Sequence, residues 1–117
     1  LGSDVDEGGA NLSAGERQLV CLARVLVVKP RILLLDEATS SLDRRTDAAV
    51  QAVVRRLTDV TVISIAHRLE TLLDYDRVVV LDSGRVAEYG PPTELAARAD
   101  GAFASLLADQ RAAVRDQ

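Results

Sequence analysis

Residues 31–43 read Arg31-Ile32-Leu33-Leu34-Leu35-Asp36-Glu37-Ala38-Thr39-Ser40-Ser41-Leu42-Asp43. The run Ile32–Leu35 is wholly apolar and short, the pattern of a strand buried on both faces, as in a parallel sheet. It stops at two adjacent carboxylates. The carboxyl ends of strands in open α/β sheets are where ligands bind. An Asp in that position suits Mg²⁺, which uses few protein carboxylates and keeps much of its water. A second carboxylate where the strand ends can turn to another task, polarising an attacking water. The same pair also suits an ordinary surface strand end, so this stretch alone leaves both readings open.

Working outward, residues 1–11 are rich in Gly and Asp and read as a loop. A helix is expected over 13–28, with Leu19, Leu22, Ala23, Leu26 and Val27 at helical spacing. Ser13 followed three residues later by Glu16 is a capping-box start, and Lys29-Pro30 ends the helix. After residue 43 a helix is expected near 46–57, with Ala49, Val50, Val53, Val54 and Leu57 on one stripe. The β-branched run Thr61-Val62-Ile63-Ser64-Ile65 predicts a second strand, followed by the only histidine, His67. A short helix carries Leu69, Leu72 and Leu73. Residues 77–81 and 86–89 flank Asp82-Ser83-Gly84, a hairpin signal. Pro91-Pro92-Thr93 leads into a helix from about Glu94. A last helix over about 102–115 is expected to turn Phe103, Leu106, Leu107 and Val114 inward.

This order predicts an α/β layered fold: a parallel sheet with helices, and an antiparallel hairpin. Aromatics are 3% of the chain, so the core must come from Leu, Val, Ile and Ala. A net charge of -4 gives no electrostatic footprint for nucleic acid, and no nucleic-acid partner is expected. The pairs Arg44–Arg45 and Arg55–Arg56 read as solvated helix faces. The single cysteine, Cys21, can form no internal disulfide and no Cys-based metal site. Its apolar helical setting predicts a buried, inert thiol. No apolar run is long enough to span a bilayer, and no stretch of these residues reads as a signal peptide. The chain has no methionine and begins at Leu1, which reads as a piece of a longer protein.

Two further features carry possible chemistry. A helix N-terminus at Ser13 offers free N–H groups and the positive dipole end, and Gly15 allows close approach of a phosphate. An ordinary capping box accounts for the same residues. A ring N–H of His67 could donate to a phosphate or position a water, although a lone His after a strand also serves structural roles.

In combination these motifs are far more specific. Leu12-Ser13-Ala14-Gly15-Glu16-Arg17-Gln18 opens a helix; Ile32–Asp43 follows, then His67 after the next strand, then the hairpin region 76–91. In that order and spacing, over essentially the whole chain, the sequence resembles the C-terminal part of the nucleotide-binding domain of ABC transporters, a partial P-loop NTPase fold. The segment Gly8–Leu26 looks most like the second nucleotide-binding domain of the multidrug-resistance-associated branch, and Glu37 agrees with that placement.

The resemblance implies ATP and Mg²⁺ as cofactors and an ATPase that powers transport. It implies that Leu12, Ser13, Ala14, Gly15 and Glu16 form the signature motif, which binds the γ-phosphate of ATP held by a partner domain. Residues 31–36 match the Walker B strand, with Asp36 toward the metal. Glu37 matches the carboxylate that activates water, Ser41-Leu42-Asp43 the loop between the two domains, and His67 the switch histidine that contacts the γ-phosphate. It further implies that residues 1–30 end the helical signature subdomain and 31–117 run from Walker B to the C-terminal part. The implied partners are a second nucleotide-binding domain, in the same chain or a homodimer, and transmembrane domains. The implied location is the cytoplasmic face of a membrane.

Two positions depart from the family. Ala14 stands where Gly is usual, and Glu16 where Gln is usual. Glu16 adds negative charge near the expected phosphate, unfavourable by Coulomb's law, while it completes the capping box. No G-x-x-x-x-G-K-[ST] occurs: the only lysine is Lys29, followed by Pro30. The P-loop strand, the glutamine loop and the adenine-stacking aromatic are expected before Leu1. Without that strand the chain alone is expected to be inactive and only marginally stable. Two other readings stay open: a module that completes a partner's ATP site without hydrolysis, and a soluble ABC ATPase of DNA repair or chromosome organisation. His67 and the hairpin favour the transporter over the latter.

Overall fold

The computed structural model describes residues 4–10, 12–36 and 41–115. The chain divides into two units, Leu1–Ile65 and Ala66–Gln117.

In the first unit, helix α1 (Ala14–Val28) starts at Ser13 and ends at Lys29, which takes the left-handed conformation (φ 52°) before Pro30. Strand β1 (Ile32–Asp36) pairs in parallel with β2 (Thr61–Ile65), Leu33 opposite Val62 and Asp36 opposite Ile65. Helix α2 (Arg44–Arg55) connects them, starting two residues earlier than its apolar stripe suggests, because Asp43 caps it. The connection β1–α2–β2 is the crossover that a parallel pair requires. Leu33, Leu35, Val50 and Val54 form the core, joined by Leu22 and Val25 from α1 and by Leu42, Leu57, Val60 and Val62.

Several expectations need correction here. Strand β1 is buried on one face only: Leu33 and Leu35 are inside, while Ile32 and Leu34 are 62% and 70% exposed. Both helices deliver their apolar residues to the Leu33–Leu35 side, so the opposite side, which β2 continues with Ile63 and Ile65, stays exposed. Helix α1 is apolar around much of its girth, and the stripe that packs is Leu22 and Val25, with Leu26 half-buried. Leu19, Ala23 and Val27 are exposed, as is Cys21, so that thiol is not buried. On α2, Val50 and Val54 are buried whereas Val53 is not.

In the second unit, a 3-10 helix (Leu69–Asp74) precedes the antiparallel hairpin of β3 (Val78–Asp82) and β4 (Arg85–Gly90). The two residues between them, Ser83 and Gly84, have φ of 50° and 75°. Positive φ at both is the signature of the turn whose twist matches that of the flanking strands. Helix α3 (Pro92–Ala96) takes Pro92 in its first turn, where a missing N–H costs nothing. Helix α4 (Ala102–Arg115) closes the unit. Val78, Val80, Leu95 and Phe103 make its core, with Leu72, Leu73, Ala96 and Ala102 against it. Phe103 and Leu107 face inward as expected, but Leu106 and Val114 are exposed, because α4 buries only one narrow stripe.

The α/β architecture with a parallel pair, helices and an antiparallel hairpin is therefore the one the sequence predicts. Among the described residues the strands form two separate two-stranded sheets.

Candidate functional site

Ser13 begins the site. Its Oγ accepts from the Glu16 N–H at 3.1 Å, and its own N–H donates to Glu16 Oε2 at 2.9 Å. Glu16 therefore turns its carboxylate back onto the helix start, where it also meets the positive dipole end. Among the described residues, no acceptor takes the N–H of Ala14 or Gly15, so these are the donors the first turn still offers.

Gly15 lies against the loop that follows β1. A Cβ built on it would sit 3.1 Å from Leu42 Cδ2 and 3.2 Å from the Ser41 carbonyl oxygen. The glycine thus makes room for the close approach of the chain's own backbone. From the same helix, Gln18 Oε1 accepts from the Ser41 N–H at 3.4 Å. Gly15 and Gln18 of α1 thus meet Ser41 and Leu42, far apart in sequence, within one unit.

Asp43 ends this loop. Its Oδ1 accepts from the N–H groups of Arg45 and Thr46 at 3.0 and 2.9 Å, and its Oδ2 accepts from the Thr46 hydroxyl at 2.8 Å. The bonds from the Thr46 N–H and hydroxyl, with a smaller one from Arg45, hold its pKa below the ordinary carboxylate value. One turn on, Asp47 is buried in the apolar stripe of α2, with Gln51 Nε2 donating to its Oδ1 at 3.4 Å. It lies in the helix's first turn, where negative charge is favoured.

Asp36 is exposed at the carboxyl end of β1. Glu37 lies outside the described residues. His67 belongs to the second unit, where its ring is exposed and its backbone is held from α4. Gln110 Nε2 donates to the His67 carbonyl oxygen at 2.7 Å, and Gln110 Oε1 accepts from the Leu69 N–H at 2.7 Å.

The model of the family described as "ABC transporter" matches residues 2–40. The chain is 50% identical over 109 residues to "ABC transporter 7" of Pyricularia oryzae, a match that covers 93% of this chain and 6% of that protein. The chain belongs to the ABC transporter family. A second relative is the "Probable multidrug resistance-associated protein lethal(2)03659" of Drosophila melanogaster, 49% identical over 111 residues, 94% of this chain and 8% of that protein. The multidrug-resistance-associated branch is thus the one this ABC chain falls in, as its signature region predicts. Among solved structures it is similar to a bacterial Atm1-family ABC exporter with ATP bound, with a TM-score of 0.85 and 47% identity over 93% of this chain and 19% of that one. The ABC chain therefore spans under a tenth of the length of these two curated relatives.

The roles of Gln18 and Asp47 in the first unit and of Gln110 in the second escape the sequence reading. Asp47 had a signal, since it falls on the stripe of Val50 and Val54 at helical spacing. The two glutamines had none, because each acts on backbone 23 to 43 residues away.

Proposed function

We propose that this chain is the C-terminal part of the nucleotide-binding domain of an ABC transporter, within a longer protein that hydrolyses ATP to drive transport. Residues 1–30 would end the helical signature subdomain and 31–117 would run from Walker B onward. The observation that carries this reading is the meeting of the α1 start with Ser41 and Leu42. A helix end whose Ala14 and Gly15 N–H groups have no acceptor among the described residues is a ready anion site, and Gly15 packs against the Ser41–Leu42 loop, which in this reading passes between the two nucleotide-binding domains.

In this reading Leu12, Ser13, Ala14, Gly15 and Glu16 face the γ-phosphate of ATP bound by a second nucleotide-binding domain, with Asp43 beside them. The Glu16 carboxylate, drawn onto the Ser13 N–H, leaves the Ala14 and Gly15 donors to the phosphate. Asp36 fits Mg²⁺: it is one exposed hard-oxygen donor at a strand end, and phosphate oxygens and water complete such a site. When bound, the ion supplies neutralisation of charge on the phosphates. Glu37 accepts the proton of the attacking water, and His67 donates to the γ-phosphate. Catalysis of this kind is positioning plus electrostatics. Membrane-spanning partners would lie elsewhere in the longer protein, with this domain on the cytoplasmic face.

The test is Glu37→Gln in the full-length protein. ATP binding should persist while turnover falls by about 10²–10⁴-fold, the usual contribution of a general base. Wild-type hydrolysis by this variant would remove Glu37 from the role. A wild-type protein that binds ATP without hydrolysing it would instead point to a module that only completes a partner's site.

A further inference from the structure

The Gln110 side chain holds the backbone around His67. Gln110, half-buried on α4, uses both ends of its amide: Nε2 donates to the His67 carbonyl oxygen and Oε1 accepts from the Leu69 N–H, each at 2.7 Å. A planar amide that satisfies a carbonyl and an N–H two residues apart fixes the local backbone in a way that a single bond does not. Once the backbone is held, the direction of the His67 Cα–Cβ bond is held too, and the ring can sweep only the arc its own rotamers allow. The next turn is held as well, with the Thr71 hydroxyl and N–H both donating to the Arg68 carbonyl oxygen at 2.7 and 3.2 Å.

Helix α4 is itself firmly placed within its unit. Phe103 is 1% exposed, and its N–H donates to Glu88 Oε2 of β4 at 2.8 Å. Gly101 leaves room for that carboxylate, since a Cβ there would stand 2.8 Å from Glu88 Oε1. A continuous physical route therefore runs from β4 through the start of α4 to the His67 segment. A further polar link between α4 and this segment is the ion pair of Arg111 with Glu70 at 3.0 Å, in which both side chains are more than half exposed. Such a pair contributes little.

We infer that Gln110 is a positioning residue for the hydrolysis reaction: it sets the backbone that carries the His67 ring, and through it α4 is coupled to ATP turnover. This rests on the reading of His67 as the γ-phosphate partner. A misplacement of about 1 Å in a group that acts in the transition state is enough to cost on the order of 10²-fold.

The experiment measures steady-state hydrolysis and ATP affinity of the full-length protein carrying Gln110→Ala, Gln110→Glu, Arg111→Ala or His67→Ala. Gln110→Ala should lower kcat by roughly 10- to 100-fold and leave ATP affinity nearly unchanged, because the hydrogen bond it orients strengthens as charge develops around the γ-phosphate in the transition state. Gln110→Glu keeps the acceptor for Leu69 but sets a carboxylate oxygen against the His67 carbonyl, so its kcat should fall at least as far. Arg111→Ala should leave both quantities unaltered. If His67→Ala is impaired but Gln110→Ala keeps its kcat, or loses kcat and ATP affinity together, Gln110 merely anchors the helix and the inference falls. If His67→Ala itself turns over like wild type, the reading of His67 falls first and the inference goes with it.

Discussion

Gly15 shows how a single missing methyl group can join two motifs. The space its Cβ would fill is taken by the end of the Leu42 side chain at 3.1 Å and by the Ser41 carbonyl oxygen at 3.2 Å. The first neighbour can swing away at small cost; the second is backbone and cannot move without shifting the loop. Gly15→Ala should therefore destabilise the nucleotide-binding domain by about 1–3 kcal/mol, the usual cost of overpacking a filled space. Adding Leu42→Ala should recover only part of that loss, because the carbonyl remains. Thermal unfolding of the single and double variants checks this. Full recovery would mean that the side chain alone is the obstacle and that Gly15 is not required for the backbone approach. The phosphate reading of Gly15 is independent of this outcome, since it concerns the N–H and not the absent Cβ.

At the scale of elements, Asp43 decides where α2 begins. Its lowered pKa has a definite consequence for stability. A carboxyl whose folded pKa lies below its unfolded value contributes stability that is present above the unfolded value, about 4, and is lost as pH falls through the lower folded one. Asp43→Asn keeps an oxygen that can cap the helix but removes the titration. Stability of the wild-type domain should thus fall more steeply than that of Asp43→Asn as the solution is acidified below about pH 4. Parallel curves would mean that the three bonds to Asp43 favour its charged form no more in the folded than in the unfolded chain. The cap also shows which parts of the molecule are legible in sequence. The capping box at Ser13 and Glu16, the strands at 32–36 and 61–65 and the hairpin at Ser83-Gly84 are set by neighbours within a few residues, and pattern reasoning finds them. Which face of α1 packs, whether Cys21 is covered and whether Ile32 and Leu34 are buried depend on what lies across the contact, and a run of apolar residues on every side cannot say. The amide bonds of Gln18 and Gln110 are illegible for the same reason. Their partners are backbone groups, which leave no trace in the choice of residue at positions 41, 67 or 69.

At the scale of the whole molecule, the distribution of exposed apolar surface sets how these 117 residues behave as an isolated polypeptide. In the first unit Ile32, Leu34, Ile63 and Ile65 form one exposed sheet face, each between 57% and 70% exposed, and α1 contains no fully buried residue. The second unit has Leu95 and Phe103 at 0% and 1% exposure, yet Val79, Leu81, Val86 and Tyr89 of its hairpin are each more than half exposed. Each unit holds a two-stranded sheet, which is marginal in water unless helices cover it. The second unit has the better case, since Leu95 and Phe103 come from α3 and α4 and bury against β3. Isolated, the chain should show no single cooperative thermal transition. Amide exchange should be slower in the hairpin and α4 than in β1 and β2, where opening exposes little that is not already exposed. A sharp transition in which all probes coincide, with β1 and β2 protected as well as α4, would show that the Leu33, Leu35, Val50 and Val54 core is sufficient by itself. The exposed face of Ile32, Leu34, Ile63 and Ile65 would then be tolerated surface, with no need of covering chain.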